Sequence, residues 1–133
     1  MPAPTFIDRL NTTLSSGGSE QFLRAFEMLR DIAKDLHLWL RNGPEDAVMV
    51  QVEPGFPAKI GQQFNVVVRI PAKDVGDTLF RAYVDTTGKV SLDFFGEEAV
   101  VCRDENELQT KVLEFLSKPE VAARMNVYKQ LAN

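Results

Sequence analysis

Histidine, cysteine and paired acids carry most enzymatic chemistry, and this 133-residue sequence holds one histidine, His37, and one cysteine, Cys102. A Ser-His-Asp or Cys-His nucleophile would have to use His37, which stands between Leu36 and Leu38, and no G-x-S-x-G motif is present. A general base also needs a partner that holds it in reach of the reacting proton, so His37 is read as structural or merely exposed. One His and one Cys cannot complete the usual zinc sets without carboxylates, and neither H-E-x-x-H nor paired C-x-x-C occurs. The run Asp104-Glu105-Asn106-Glu107 lacks the alternating ligands and central glycine of a calcium loop; the spacing of Asp104 and Glu107 predicts a helix cap instead. Gly17-Gly18-Ser19 precedes a helix, whose free amides attract anions, yet it follows no strand and is read as a linker. A hydrolytic carboxylate pair among the 19 acids is set by the fold and has no signature in sequence. No metal and no cofactor are expected.

Binding chemistry has more to work with. Pro54 and Pro57 flank Phe56 and restrict the backbone that presents it, which suits a partner contact at low entropy cost; the competing and favoured role is a plug at the end of the core. Trp39 falls on the apolar stripe of a long helix, which favours burial, although tryptophan is also an interface residue. Phe94 and Phe95 are adjacent, and neighbours on a strand point to opposite faces, so both cannot enter one core. The same holds for Val66-Val67-Val68 and Leu79-Phe80. Helices on both faces of the sheet, with the N-terminal and C-terminal helices covering the second, are the favoured resolution; an exposed apolar patch is the alternative. The candidate partner-binding residues are therefore Phe56, Pro54, Pro57, Phe95 and Trp39. A pocket between sheet and long helix, lined by Phe22, Phe26, Phe64, Phe80 and His37, is the competing site.

The elements that must position these residues follow from periodicity. Phe6, Ile7, Leu10 and Leu14 recur at helical spacing behind Thr5, and Ser15 to Ser19 breaks that pattern. Phe22, Ala25, Phe26, Leu29, Ile32, Ala33, Leu36, Trp39 and Leu40 keep one stripe over a long helix that Asn42-Gly43-Pro44 ends. From Ala47 the period is two: Val48, Val50 and Val52 form a strand, 53–61 is a proline-glycine loop, and Phe64 to Ile70 form a second strand. Residues 71–77 turn the chain into a third strand over 79–85, a hairpin at 85–89 uses Gly88, and strands over 90–94 and 99–102 complete the set. Leu108, Val112, Phe115 and Leu116, then Val121, Met125, Tyr128 and Leu131 or Ala132, mark two closing helices. The prediction is a single α+β domain over 1–133, with 1–18 a short helix plus flexible linker. An N-terminal amphipathic helix or helix pair packs on a four- to five-stranded, mainly antiparallel meander, followed by two C-terminal helices.

Fifteen basic against 19 acidic groups give a net charge of −4, spread without a tail, which argues against nucleic acid. The N-terminus lacks the pattern of a signal peptide and no window spans a bilayer, so a cytoplasmic address is expected. The function expected is a non-enzymatic interaction module, in the manner of adaptors, chaperones or inhibitor and immunity proteins. Its partner is another protein or a second copy of itself, as a homodimer, with no nucleic acid and no membrane. A small-ligand binder or enzyme using the sheet-helix pocket is the alternative.

Overall fold

The computed structural model describes residues 3–17, 20–58, 61–96 and 98–132. Helix α1 (Phe6–Gly17) opens with a reciprocal cap: the Asp8 amide donates to Thr5 Oγ1 at 3.2 Å, and the Thr5 amide donates to Asp8 Oδ2 at 3.1 Å. The helix runs through Ser15 and Ser16, past the break those serines predict, because serine costs an already nucleated helix only tenths of a kcal/mol. The rest of the expected linker, residues 18 and 19, lies outside the described residues. Helix α2 (Glu20–Leu40) buries Ala25, Leu29, Ile32, Ala33, Leu36 and Leu40. Trp39 departs from the expected burial and is 45% exposed, since Leu40 takes the inward place and Trp39 sits about 100° round the helix from it.

Five strands follow, β1 (Met49–Ala58), β2 (Gly61–Ile70), β3 (Val75–Asp85), β4 (Val90–Asp93) and β5 (Val100–Cys102). They form an antiparallel meander in the order β1-β2-β3-β4-β5, as short connections dictate. The expected loop at 53–61 is corrected: residues 53–58 and Gly61 are strand, with Pro54 opposite Phe64, Pro57 opposite Gln62 and a bulge between them, and residues 59 and 60 lie outside the described residues. β1 is an edge strand, where a proline can turn its missing donor away from the ladder. Residues 71–77 are likewise not all turn. A 3₁₀ turn at Pro71–Lys73 and a left-handed Asp74 (φ 55°) reverse the chain, and β3 begins at Val75.

Register explains how consecutive apolar residues are accommodated. Val66 pairs with Phe80 but Val67 pairs with Thr78, so Leu79 is a bulge residue, and Leu79 and Phe80 are both buried rather than split between two faces. Phe64, Val66, Val68, Phe80, Ala82 and Leu92 share one core cluster with the buried residues of all three later helices. The expectation that helices cover both sheet faces is thus corrected. The second face carries Gln51, Asn65, Arg69, Arg81, Tyr83 and Ser91, none of them buried, and Val67 is shielded among such neighbours. Arg69 donates from Nη2 to Glu53 Oε1 at 2.8 Å and from Nε to Glu53 Oε2 at 3.0 Å across β1 and β2 on this face. It is a polar face rather than the apolar patch of the alternative.

Helix α3 (Glu105–Leu116) is capped as its sequence predicts, the Glu107 amide donating to Asp104 Oδ1 at 2.8 Å. Helix α4 (Pro119–Leu131) follows after a turn at Ser117 and Lys118, with proline in its first turn. Phe115 of α3 stacks on Phe94 at 4.4 Å between centroids, and both rings meet Phe80 edge-on. Tyr128 of α4 donates its hydroxyl to Asp77 Oδ2, which joins the last helix to β3. Together these contacts fasten α3 and α4 to the sheet face on which α2 also packs.

Candidate functional site

Helices α2, α3 and α4 share one sheet face, and between them they leave an apolar groove of about 430 Å³. Buried Ile32 and Leu36 of α2, Val112 of α3 and Met125 of α4 form its base, and Trp39, Leu113, Leu116 and Ala122 also line it. Asp35, Gln109 and Asn126 are its polar members. The Trp39 ring is held in place: the Lys129 ammonium lies 4.3 Å from its centroid and also donates to the Trp39 carbonyl. The Asn42 amide donates to the Lys129 carbonyl at 3.4 Å, tying the end of α4 to the chain leaving α2. An aromatic side chain already ordered in the free protein loses little further entropy when a partner covers it.

The five candidate partner-binding residues do not form one surface. Phe56 is 82% exposed, which overturns its expected role as a core plug; the bulge between Pro54 and Pro57 turns it off the edge of β1. It lies at the hairpin end of the sheet, where Gly61 pairs with Asp85 and Gly88 backs on Gln21 in the first turn of α2. Trp39 is at the other end of a helix about 30 Å long. Phe95 is a third, separate position. β4 ends at Asp93, so Phe94 and Phe95 are not strand neighbours as expected: Phe95 takes a left-handed φ of 61°, donates its amide to Asp93 Oδ1 at 2.9 Å, and lies against the Arg81 guanidinium.

The expected sheet-helix pocket is filled by its own lining. Phe26 and Phe22 pack on Phe64 with centroids 5.0 and 6.1 Å apart, and Phe64 and Phe80 are buried core. Phe26 and His37 instead border an open trough between α2 and the edge strand β1. The groove between the helices was missed at Leu113, although a signal existed: this leucine stands off the Leu108-Val112-Phe115 stripe of α3, with no place in the core.

Electrostatics around the chemistry-bearing residues is structural in kind. His37 Nε2 lies 3.2 Å from the Glu45 carbonyl oxygen, within hydrogen-bond reach, which fastens the turn leaving α2. Burial, followed by the Glu107 charge, pushes the Cys102 thiol up to about 11, so it stays protonated and unreactive at neutral pH. Burial, then the bond to Asp77, raises the Tyr128 hydroxyl far above its ordinary value. The Thr87 hydroxyl bond to Asp85 lowers that carboxyl, which also accepts from the Thr87 and Lys89 amides in the β3-β4 turn. Among the described residues no group of three His, Cys, Asp or Glu side chains is placed to hold a metal ion. Nor is any described helix long and apolar enough to cross a membrane. Compared with family models, curated proteins and solved structures, the chain matches none of them.

Proposed function

We propose that this chain is a non-enzymatic, cytoplasmic protein-interaction module, an adaptor, chaperone-like or inhibitor-like protein. In this reading it holds an apolar helical segment of another protein in the groove between α2, α3 and α4. The observation that carries the reading is the pairing in one groove of Leu113, 65% exposed, with the cation-held Trp39 over a buried apolar base. A cleft between helices accepts an amphipathic helix through anchors one turn apart, and tryptophan is among the residues that dominate such contacts. The net charge of −4 favours a basic partner, mainly through the rate of encounter. Phe56, at the opposite end of α2, serves as a second and separate contact.

The test is capture from native lysate with the wild-type chain, Leu113→Asp and Phe56→Ala as baits, followed by titration of the purified partner. A stoichiometric partner that Leu113→Asp loses, and that shifts the emission of Trp39 to the blue on binding, supports the groove. Because Trp39 is the sole tryptophan, the signal reports this site. Capture undiminished by Leu113→Asp removes the groove from the function. The groove's volume also lies in the range of small-molecule sites, so a small apolar ligand is the second reading. A Trp39 shift produced by a lysate fraction freed of protein favours it.

A further inference from the structure

Strand β1 is an open edge of the sheet, and only half of it is guarded. No described strand pairs with it on the side away from β2. The bulge between Pro54 and Pro57 sets Pro54 opposite Phe64 and Pro57 opposite Gln62, which are two residues apart on β2 and so in the same hydrogen-bonding phase. A proline has no N–H to give the ladder, so this phase is the one that faces away from β2. Prolines and bulges are common guards of a strand edge, and here they cover residues 54–58. Met49 to Glu53 carries neither, and its one charge, Glu53, is taken up by Arg69. Carried back along the strand, the alternation also turns the amides and carbonyls of Val50 and Val52 outward.

We infer that two copies of this chain form a two-fold dimer in which residues 49–53 of the β1 strands pair antiparallel, joining the five-stranded sheets into one. A row of bare backbone donors and acceptors is met by extended backbone, and this edge matches its own reverse. With the axis at Gln51, Val50 stands opposite Val52 of the second copy and Val52 opposite its Val50. These are the outward residues on both sides, so every outward amide in the stretch finds a carbonyl. An axis at Val52 would instead set Val50 against Pro54, which has no amide to give. The side chains of Val50 and Val52, half-buried against the core, then line up across the junction. The joined sheet keeps only the three-residue β5 as an edge, and a very short edge strand is itself a guard.

Charges on α2 complete the match. An axis perpendicular to the sheet puts both α2 helices on one face, antiparallel to each other, with the trough that borders β1 between them. Phe26 packs on Phe64, which is opposite Pro54, and so marks the level of Pro54 along α2. Gln51 lies about 10 Å further along the strand, equal to about six or seven residues of helix, which brings the axis between Ile32 and Ala33. His37 then falls at the level of Met49 and Val50, and it shares a depression with them. An axis at this height sets Asp31 against Lys34 of the second copy, twice. Both side chains are exposed on the trough, and neither is engaged in an ion pair among the described residues. The groove between α2, α3 and α4 uses the other side of α2, and Phe56 lies beyond Pro54, so the dimer takes up neither.

The test is sedimentation equilibrium of the full chain together with oxidative cross-linking of Gln51→Cys. The axis makes Gln51 its own neighbour at a non-hydrogen-bonded position, where Cα atoms lie about 4.5 Å apart, within the span of a disulfide. The expected result is a wild-type dimer and a Gln51→Cys chain that cross-links under mild oxidation, while Phe56→Cys, exposed but off the axis, does not. The native Cys102 is buried and takes no part. Asp31→Lys and Lys34→Asp, each checked for folding by circular dichroism, should dissociate about 10-fold more readily because like charges meet across the axis. Their equimolar mixture should regain the wild-type affinity as a heterodimer, in which opposite charges meet again. A monomeric wild type at high micromolar concentration overturns the inference and leaves the edge to an extended segment of another protein. A dimer that Gln51→Cys does not cross-link, or a mixture no tighter than its components, overturns it as well.

Discussion

Replacing Gly88 by alanine probes how firmly the β3-β4 turn is seated against α2. Gly88 has φ +85°, a conformation that costs an L residue with a side chain about 1 to 2 kcal/mol. A Cβ at this position would stand 2.6 Å from the Gln21 carbonyl oxygen and 2.8 Å from its carbonyl carbon. Ordinary contact begins at 3.4 Å, so turn or helix must give by 3.4 − 2.6 = 0.8 Å. Both sides are backbone, the helix side being the first turn of α2. Overpacking of this kind costs about 1 to 3 kcal/mol, and the sum is a loss of about 2 to 5 kcal/mol. Against a typical domain stability of about 5 to 15 kcal/mol, that is a large fraction. Urea denaturation followed by circular dichroism reads it as a lower midpoint at unchanged slope. Asparagine tolerates a positive φ better than alanine but would meet the same carbonyl, so Gly88→Asn should recover only the conformational part. A Gly88→Ala protein within about 0.5 kcal/mol of wild type would refute the seating of this turn on α2.

Other expectations are shorter to state. Phe80→Ala removes a fully buried ring that touches Phe94 and Phe115, and should cost about 3 to 5 kcal/mol in the same urea assay; a loss under about 2 kcal/mol would mean that α3 is not docked there. Phe56→Ala should change stability by no more than about 0.5 kcal/mol, because the ring is already in solvent, and a larger drop would contradict its exposure. Cys102 should react slowly with a thiol reagent in the native state at pH 8, and at the rate of a free thiol once unfolded. Its folded pKa of about 11 lies above the unfolded value of 9.0, so the unfolded state sheds its proton first and stability falls as pH rises from 9 towards 11. Tyr128 adds to the fall above pH 10 for the same reason, and Tm constant from pH 8 to 11 would contradict both. Asp85, lowered by its turn bonds, stabilises the fold above its ordinary 3.8 and loses that contribution as pH drops through its folded value; Asp85→Asn should flatten the acid limb of the Tm profile.

Periodicity in the sequence determined the α+β class, the long helix, the meander and the two closing helices. Spacings of 3.6 and 2 place side chains on faces wherever the chain folds, and the caps at Thr5 and Asp104 are local hydrogen bonds that need no distant partner. The turn at Gly88 was legible for the same reason. What only the tertiary structure decided are matters of neighbourhood. Pro54 and Pro57 belong to a strand because β1 lies at an edge, Leu79 and Phe80 enter one core because β2 pairs across a bulge, and the polar second face is bare because all three core helices chose the other side. The groove is the clearest case. Trp39 and Leu113 are on different helices, and they share a groove because α2 packs on the same sheet face to which the contact of Tyr128 with Asp77 and the stack of Phe94 on Phe115 fasten α4 and α3. A sequence records which face of each helix is apolar, but a cleft exists only where separate helices fail to meet, and that depends on packing between residues far apart along the chain.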